Sequence, residues 1–212
     1  AAAVRDSGAL LIADEVMTGF GRTGKVFAGS KEQVVPDFLC LAKGLTGGYL
    51  PMAATLTTEP VYNAFLGEYE EFKTFFHGHS YTGNQLGASV ALASWDLLNQ
   101  PKKRVRRKAM ERVLASELET LWPLAVVGDV RREGLLAGIE LVADWRTRRA
   151  FSLKDQVGVR VCEAMSQRGV LTRPIGNVVP LLPPYCTTNT QLRRMVRVLR
   201  ESILQVLGGA RV

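Results

Sequence analysis

Ala9-Leu10-Leu11-Ile12-Ala13-Asp14-Glu15-Val16-Met17-Thr18-Gly19-Phe20-Gly21 is the stretch on which the fold turns. Its first five residues are apolar without alternation, as in a strand covered on both faces of a parallel sheet. The run stops at a carboxylate, Asp14, and passes into glycine-containing turn material. A second stretch has the same form: Phe38-Leu39-Cys40-Leu41-Ala42, then Lys43, then Gly44-Leu45-Thr46-Gly47-Gly48. A third strand is predicted over residues 52–56. Together they predict an α/β fold with a mostly parallel sheet. In such sheets ligands bind beyond the carboxyl ends of the strands, and Asp14 and Lys43 each stand at one.

Upstream, residues 1–7 read as the tail of a helix punctuated by Gly8. The sequence opens on Ala1 with no initiator methionine, and the expectation is a piece of a longer protein cut inside a βα architecture. Downstream, His77-Gly78-His79-Ser80-Tyr81-Thr82-Gly83-Asn84 forms a polar loop before a helix over residues 85–98. That helix is rich in small residues, so close packing is expected. Asn99-Gln100-Pro101 marks a boundary. Beyond it the pattern becomes α+β: a helix over 102–122, a strand pair within 126–142 broken at Glu133-Gly134, and a helix over 155–168 stopped by Gly169. Short strands are predicted at 170–172 and 178–182. A last helix carries Leu192, Met195, Val196, Leu199, Ile203 and Val206 at helical spacing, with Thr188, Asn189 and Thr190 able to cap it. The domains are therefore placed at 1–99 and 100–212.

The composition, 47% hydrophobic and 22% charged over 212 residues, excludes disorder for most of the chain. No apolar run approaches the ~18–20 residues that cross a bilayer, and the start lacks the order of a secretion signal. Cys40, Cys162 and Cys186 are three in number and widely spaced, which argues against a disulfide framework and suits a reducing cytoplasm. The net charge of +7 is concentrated in Lys102, Lys103, Arg104, Arg106, Arg107, Lys108 and Arg112. A nucleic-acid patch is one reading. The exposed start of a helix whose apolar stripe is Met110, Val113, Leu114, Leu118 and Leu121 is the other, and no aromatic residues interleave to stack bases.

Asp14 and Lys43 are the parts that a pyridoxal phosphate enzyme needs. A lysine amine condenses with the cofactor aldehyde, and an acid facing the pyridine nitrogen favours its protonated, electron-withdrawing form. The plainer readings are a turn residue closing a strand and a surface lysine. A rival occupies the same stretch: Gly19-Phe20-Gly21-Arg22-Thr23-Gly24-Lys25 fits the first part of a P-loop, but Val26 stands where magnesium needs a hydroxyl. His77 and His79 could share a metal, although no cysteine or third histidine is near. The same loop reads better as an anion cradle, or as a plain capped helix entry. Arg173, ahead of Pro174-Ile175-Gly176, has the chemistry to bind a carboxylate bidentately, and a surface role is the alternative.

These blocks together resemble the class III, fold-type I, pyridoxal 5'-phosphate-dependent aminotransferases. The likeness lies in residues 10–16 with 18–24 and in residues 41–48, and it extends over essentially the whole chain. Residues 49–58, 77–84, 173–177 and 182–185 resemble the branch that acts on 8-amino-7-oxononanoate in biotin biosynthesis, with S-adenosylmethionine as the usual amino donor. Met17, where many relatives acting on other amines have Gln, agrees with that branch. Pro180 departs from a Tyr found in some members. The resemblance implies that Lys43 bonds the cofactor and shuttles protons, Asp14 pairs with the pyridine nitrogen, and Val16 packs on the ring. It further implies that Gly78 and Ser80 hold the phosphate across a homodimer interface, with Gly78 also near substrate, and that Arg173 grips the keto acid. The reaction would be ping-pong between a small-molecule amino donor and a keto acid. The N-terminal half of the family pattern is absent, so the isolated chain is expected to be inactive and poorly folded.

Overall fold

The structure, a computed structural model, describes residues 2–208. Its fold is mixed α/β, and the chain divides into two compact units, residues 1–104 and 105–212.

The first unit holds helix α1 (Ala2–Asp6), strands β1 (Ile12–Asp14), β2 (Phe38–Leu41) and β3 (Ala54–Thr57), and helices α2 (Glu59–Asn63) and α3 (Gln85–Asn99). Strand β2 is central. It runs parallel to β1, with Ile12 opposite Phe38 and Asp14 opposite Cys40, and antiparallel to β3. The third strand therefore lies where the sequence puts it, shifted by two residues at its start, and its direction departs from a purely parallel sheet. Cover on both faces is not found among the described residues. Ile12 is 63% exposed and Leu56 52%. Thr55 and Leu56, neighbours that point to opposite faces, are both exposed. Helix α3 begins at an Asn84 cap whose Oδ1 accepts from the Leu86 and Gly87 amides. Only part of its small-residue surface is in close contact: a Cβ on Gly87 would stand 3.3 Å from Met52 Sδ, while Ser89 and Ala93 are exposed.

Helix α4 (Pro101–Leu118) and a 3-10 turn (Glu119–Leu121) carry the chain into the second unit. There β4 (Val127–Glu133) and β5 (Leu136–Asp144) form a hairpin about Gly134, which has φ +59, a conformation that glycine adopts without strain. Strand β5 also pairs antiparallel with β6 (Arg149–Ala150) and β7 (Val178–Leu181). Residues 170–172, expected to be a strand, form no ladder; the Thr172 hydroxyl instead donates to the Pro180 carbonyl at 2.8 Å. Helix α5 (Val157–Gln167) ends at Gly169, with φ +77. The Val170 amide there donates to the Met165 carbonyl and the Gly169 amide to that of Ser166, the paired bonds of a Schellman stop. Helix α6 (Asn189–Leu207) opens with a reciprocal capping box between Thr188 and Gln191.

The core of this unit lies between the inward face of β5 and the apolar stripes of α4, α5 and α6. Leu114, Leu121, Ile139, Met165, Leu192, Leu199 and Ile203 are all fully buried. Each such side chain contributes roughly 1.5–3 kcal/mol by leaving water. The stripe expected on α4 is the one that packs: Met110, Leu114, Leu118 and Leu121 are buried and Val113 is half-buried. Among the described residues no helix is long and apolar enough to cross a membrane. The three cysteines are unpaired: Cys186 exposed, Cys40 half-buried and Cys162 buried, where burial pushes its thiol up to about 11.

Candidate active site

Two strand ends define the candidate site. The β1–β2 register sets Asp14 opposite Cys40, and the pairing continues one step further, with the Glu15 amide donating to the Cys40 carbonyl at 3.0 Å. Lys43 follows Cys40 by three residues, so the acid and the amine project from neighbouring carboxyl ends of parallel strands. Both side chains are exposed. Asp14 Oδ1 accepts from the Val16 amide at 3.0 Å, which fixes the carboxylate and leaves Oδ2 unbonded among the described residues. Among the described residues neither Asp14 nor Lys43 takes part in an ion pair. The donor set, one oriented acid and one accessible amine, fits a pyridine ring with an aldehyde substituent. Val16 is half-buried immediately beyond the acid.

The lysine stands in a tight turn. Lys43 has φ +47, a left-handed conformation that is uncommon for a residue with a side chain. Residues 42–47 are wound by successive i to i+3 bonds: the Leu45 amide to Ala42, Thr46 to Lys43 and Gly47 to Gly44. The Thr46 hydroxyl, buried, donates to the Leu50 carbonyl at 2.6 Å. From α3, the Ser94 hydroxyl donates to the Gly44 carbonyl at 3.2 Å.

The segment after Asp14 folds back over the strand end around one buried carboxylate that the sequence does not single out. Glu15, 4% exposed, accepts from the Thr18 hydroxyl at 2.6 Å and from the Gly29 amide at 2.9 Å. Its backbone carbonyl accepts from the Gly19 amide. Such a buried charge is tolerated because donors surround it. The glycine-rich loop packs on itself, and it is followed only by a 3-10 turn (Ala28–Lys31), whereas a P-loop delivers its phosphates to an α-helix N-terminus.

The histidine loop is exposed throughout. The His79 amide donates to Thr82 Oγ1 at 2.9 Å, and the Tyr81 amide to His79 Nδ1 at 3.1 Å. The Thr82 hydroxyl thus already serves the loop's own backbone. Gly78 lies against it, since a Cβ there would stand 3.4 Å away. Ser80 is exposed. No group of three or more His, Cys, Asp or Glu among the described residues could hold a metal ion.

In the second unit Arg173 is exposed on the loop between α5 and β7. The loop is seated on Gly158 in the first turn of α5: a Cβ there would run into the Gly176 carbonyl and stand 2.8 Å from Pro174 Cβ. The Asn177 amide side chain ties the far end to the Phe151 carbonyl at 2.8 Å. The basic cluster on α4 is partly engaged. Arg104 Nε donates to the Asn99 carbonyl, Arg106 donates to the Cys186 carbonyl at 2.8 Å, and Arg107 lies 5.4 Å from the centre of the Tyr185 ring. Two shallow clefts of about 490 and 370 Å³ open on this unit, beside Glu117, Arg197 and Arg200 and beside Lys108 and Arg112.

The family model described as aminotransferase class-III matches residues 1–203. An adenosylmethionine-8-amino-7-oxononanoate aminotransferase of Anoxybacillus flavithermus is 50% identical over 198 residues, covering 92% of this chain and 43% of that protein. The crystal structure of the enzyme of the same name from Methanocaldococcus jannaschii superposes with a TM-score of 0.92 at 44% identity, over 97% of this chain and 48% of the other. An (S)-enantioselective omega-transaminase from Thermomicrobium roseum gives a TM-score of 0.88 at 30% identity, over 97% and 45%. The chain spans less than half the length of these relatives.

Proposed function

The chain belongs to the class-III aminotransferases, a family that uses pyridoxal 5'-phosphate, and from that premise we propose that it forms the C-terminal half of an aminotransferase of biotin synthesis. The enzyme would move an amino group from S-adenosylmethionine to 8-amino-7-oxononanoate. Its residues 1–99 would complete a fold-type I cofactor domain, and residues 100–212 would form the small C-terminal domain. The apolar side chains exposed on both faces of the β1–β3 sheet would then be covered by the remainder of the enzyme and by a second copy in a homodimer.

The observation that carries this reading is the pairing of Asp14 and Lys43 on adjacent parallel strand ends, accessible and not bonded to each other. When bound, the cofactor supplies an aldehyde and a ring that withdraws electrons from the carbon being deprotonated. Lys43 would hold the cofactor through its amine, and its Nζ would hold and move the proton in the chemical step. Asp14, oriented by the Val16 amide, would favour the protonated pyridine nitrogen through charge pairing. Val16 would lie against the ring. Gly78 would permit close backbone approach to the phosphate and to substrate, and Ser80 would offer a hydroxyl. Arg173 would pair with the substrate carboxylate.

Borohydride reduction of the holoenzyme followed by peptide mapping tests the reading. The cofactor is expected on Lys43, and attachment to any other lysine overturns it. Turnover of 8-amino-7-oxononanoate in preference to simple ω-amino acids supports the biotin assignment. The reverse preference, with the cofactor still on Lys43, replaces it by an ω-aminotransferase.

A further inference from the structure

We propose that Phe20 is the positioning residue for Lys43: its ring and Cβ, packed on Gly44, hold the turn from which the lysine amine projects. The inference rests on the reading of Lys43 given above and extends it to a residue in a different loop.

Four observations converge on this contact. Phe20 is 5% exposed, one of the few buried apolar side chains of the first unit. It takes φ +58, a conformation costly for an aromatic residue, so the surroundings must hold it there. A Cβ on Gly44 would stand 2.8 Å from Phe20 Cβ, 2.9 Å from Cδ2 and 3.0 Å from Cγ. The glycine is therefore the only residue that lets the ring reach the backbone next to Lys43. Phe20 is itself braced. Phe27 meets it edge-on at 5.8 Å, and the buried Glu15 clamps both sides of the loop through Thr18 and Gly29.

The Lys43–Gly44 turn is thus gripped on two sides, by the Phe20 ring and by the Ser94 hydroxyl at the Gly44 carbonyl. Lys43 has its own left-handed φ of +47. Two left-handed residues that carry side chains, brought together through a glycine, form a contact that relaxes if either partner is removed. A long flexible side chain is aimed by its backbone, so relaxation of this turn moves the amine relative to the acid on the neighbouring strand.

The test uses the holoenzyme. Phe20→Gly removes the ring and Cβ while allowing the same φ without strain. Borohydride mapping is expected still to find the cofactor on Lys43. We expect kcat to fall about tenfold or more with KM changed less than about threefold, the signature of lost alignment in the chemical step. The pH midpoint of the visible absorbance is expected to move by about half a unit, because the charge environment of the lysine-bound chromophore changes. Gly44→Ala drives a Cβ into Phe20 and is expected to give the same signature. The double variant Phe20→Gly/Gly44→Ala is expected to lose no more than either single variant, since both changes break the same contact.

Cofactor on a different lysine in the unaltered enzyme removes the reading of Lys43 and this inference with it. Cofactor on Lys43, together with an unchanged midpoint and kcat in both single variants, removes this inference alone. Should Phe20→Gly fail to fold, Phe20→Leu decides the question: a loss of thermal stability with the midpoint and kcat unchanged overturns the proposal.

Discussion

Residues 105–212 and residues 1–104 put their apolar side chains to opposite use. The second unit closes three helices over one face of an antiparallel sheet, and its largest aliphatic residues are completely buried. The first unit is a three-stranded sheet whose principal buried apolar residues are Phe20, Leu41 and Leu98, while Leu10, Ile12 and Leu56 stay more than half exposed. Its order comes instead from polar clamps at the strand ends: Glu15 on its loop, Thr46 on Leu50, Ser94 on Gly44. One unit buries its largest aliphatic side chains within itself, and the other carries the Asp14 and Lys43 strand ends on a sheet that leaves apolar side chains exposed.

The strongest way to break this comparison is to separate the units. Residues 105–212 expressed alone are expected to unfold cooperatively in urea with dispersed NMR signals, while residues 1–104 alone show no cooperative transition. A cooperative transition in the first unit would erase the contrast. Next in size, Leu192→Ala in the second unit empties a fully buried site and is expected to cost about 2–5 kcal/mol in urea melts. The equivalent truncation Ile12→Ala is expected to change the isolated chain by no more than about 0.5 kcal/mol, as for a surface site. In the full-length enzyme it would behave as a core truncation, if the sheet is covered there.

Gly158→Ala sharpens the comparison at a smaller scale. Its Cβ would collide with the Gly176 carbonyl, and overpacking of this kind costs about 1–3 kcal/mol. Because the displaced loop carries Arg173, a rise in KM for the keto acid is expected alongside the lower melting temperature. The smallest effect is confined to alkaline pH. The Cys162 thiol is pushed from 9.0 to about 11 by burial first and by the nearby Glu163 charge second. A raised folded value means that its contribution is intact below about 9 and is lost as pH rises towards about 11. Thiol labelling at pH 8 is accordingly expected to modify exposed Cys186 and to leave Cys162 unmodified until the unit unfolds.

The elements of the second unit were legible because local signals agreed with packing. The stripe from Met110 to Leu121, the break at Gly134, the stop at Gly169 and the cap at Thr188 each follow from short-range chemistry, and each lies where the sequence places it. Three features were not legible. The direction of β3 depends on how the connection after β2 brings the chain back, and the two-residue strand β6 depends on β5 being present. Residues 170–172 have a strand's composition but, in place of a ladder, only the Thr172 hydroxyl reaches β7, donating to the Pro180 carbonyl. In the first unit Asp14 and Lys43 stood out as charges ending apolar runs. Glu15, Phe20 and Ser94 gave no such sign, because a buried carboxylate, a left-handed aromatic and a helix serine look ordinary in one dimension.

By itself, then, the sequence determined the class of fold, the helices and their caps, and the acid and amine at two strand ends, since spacing of three to four residues and abrupt changes of polarity act locally along the chain. Only the tertiary structure decided the register that sets Asp14 opposite Cys40, that β3 turns back, and that Phe20 rests on Gly44. Those relations join residues more than about a dozen positions apart, and they are set by pairing register and steric fit rather than by any pattern a single segment can carry.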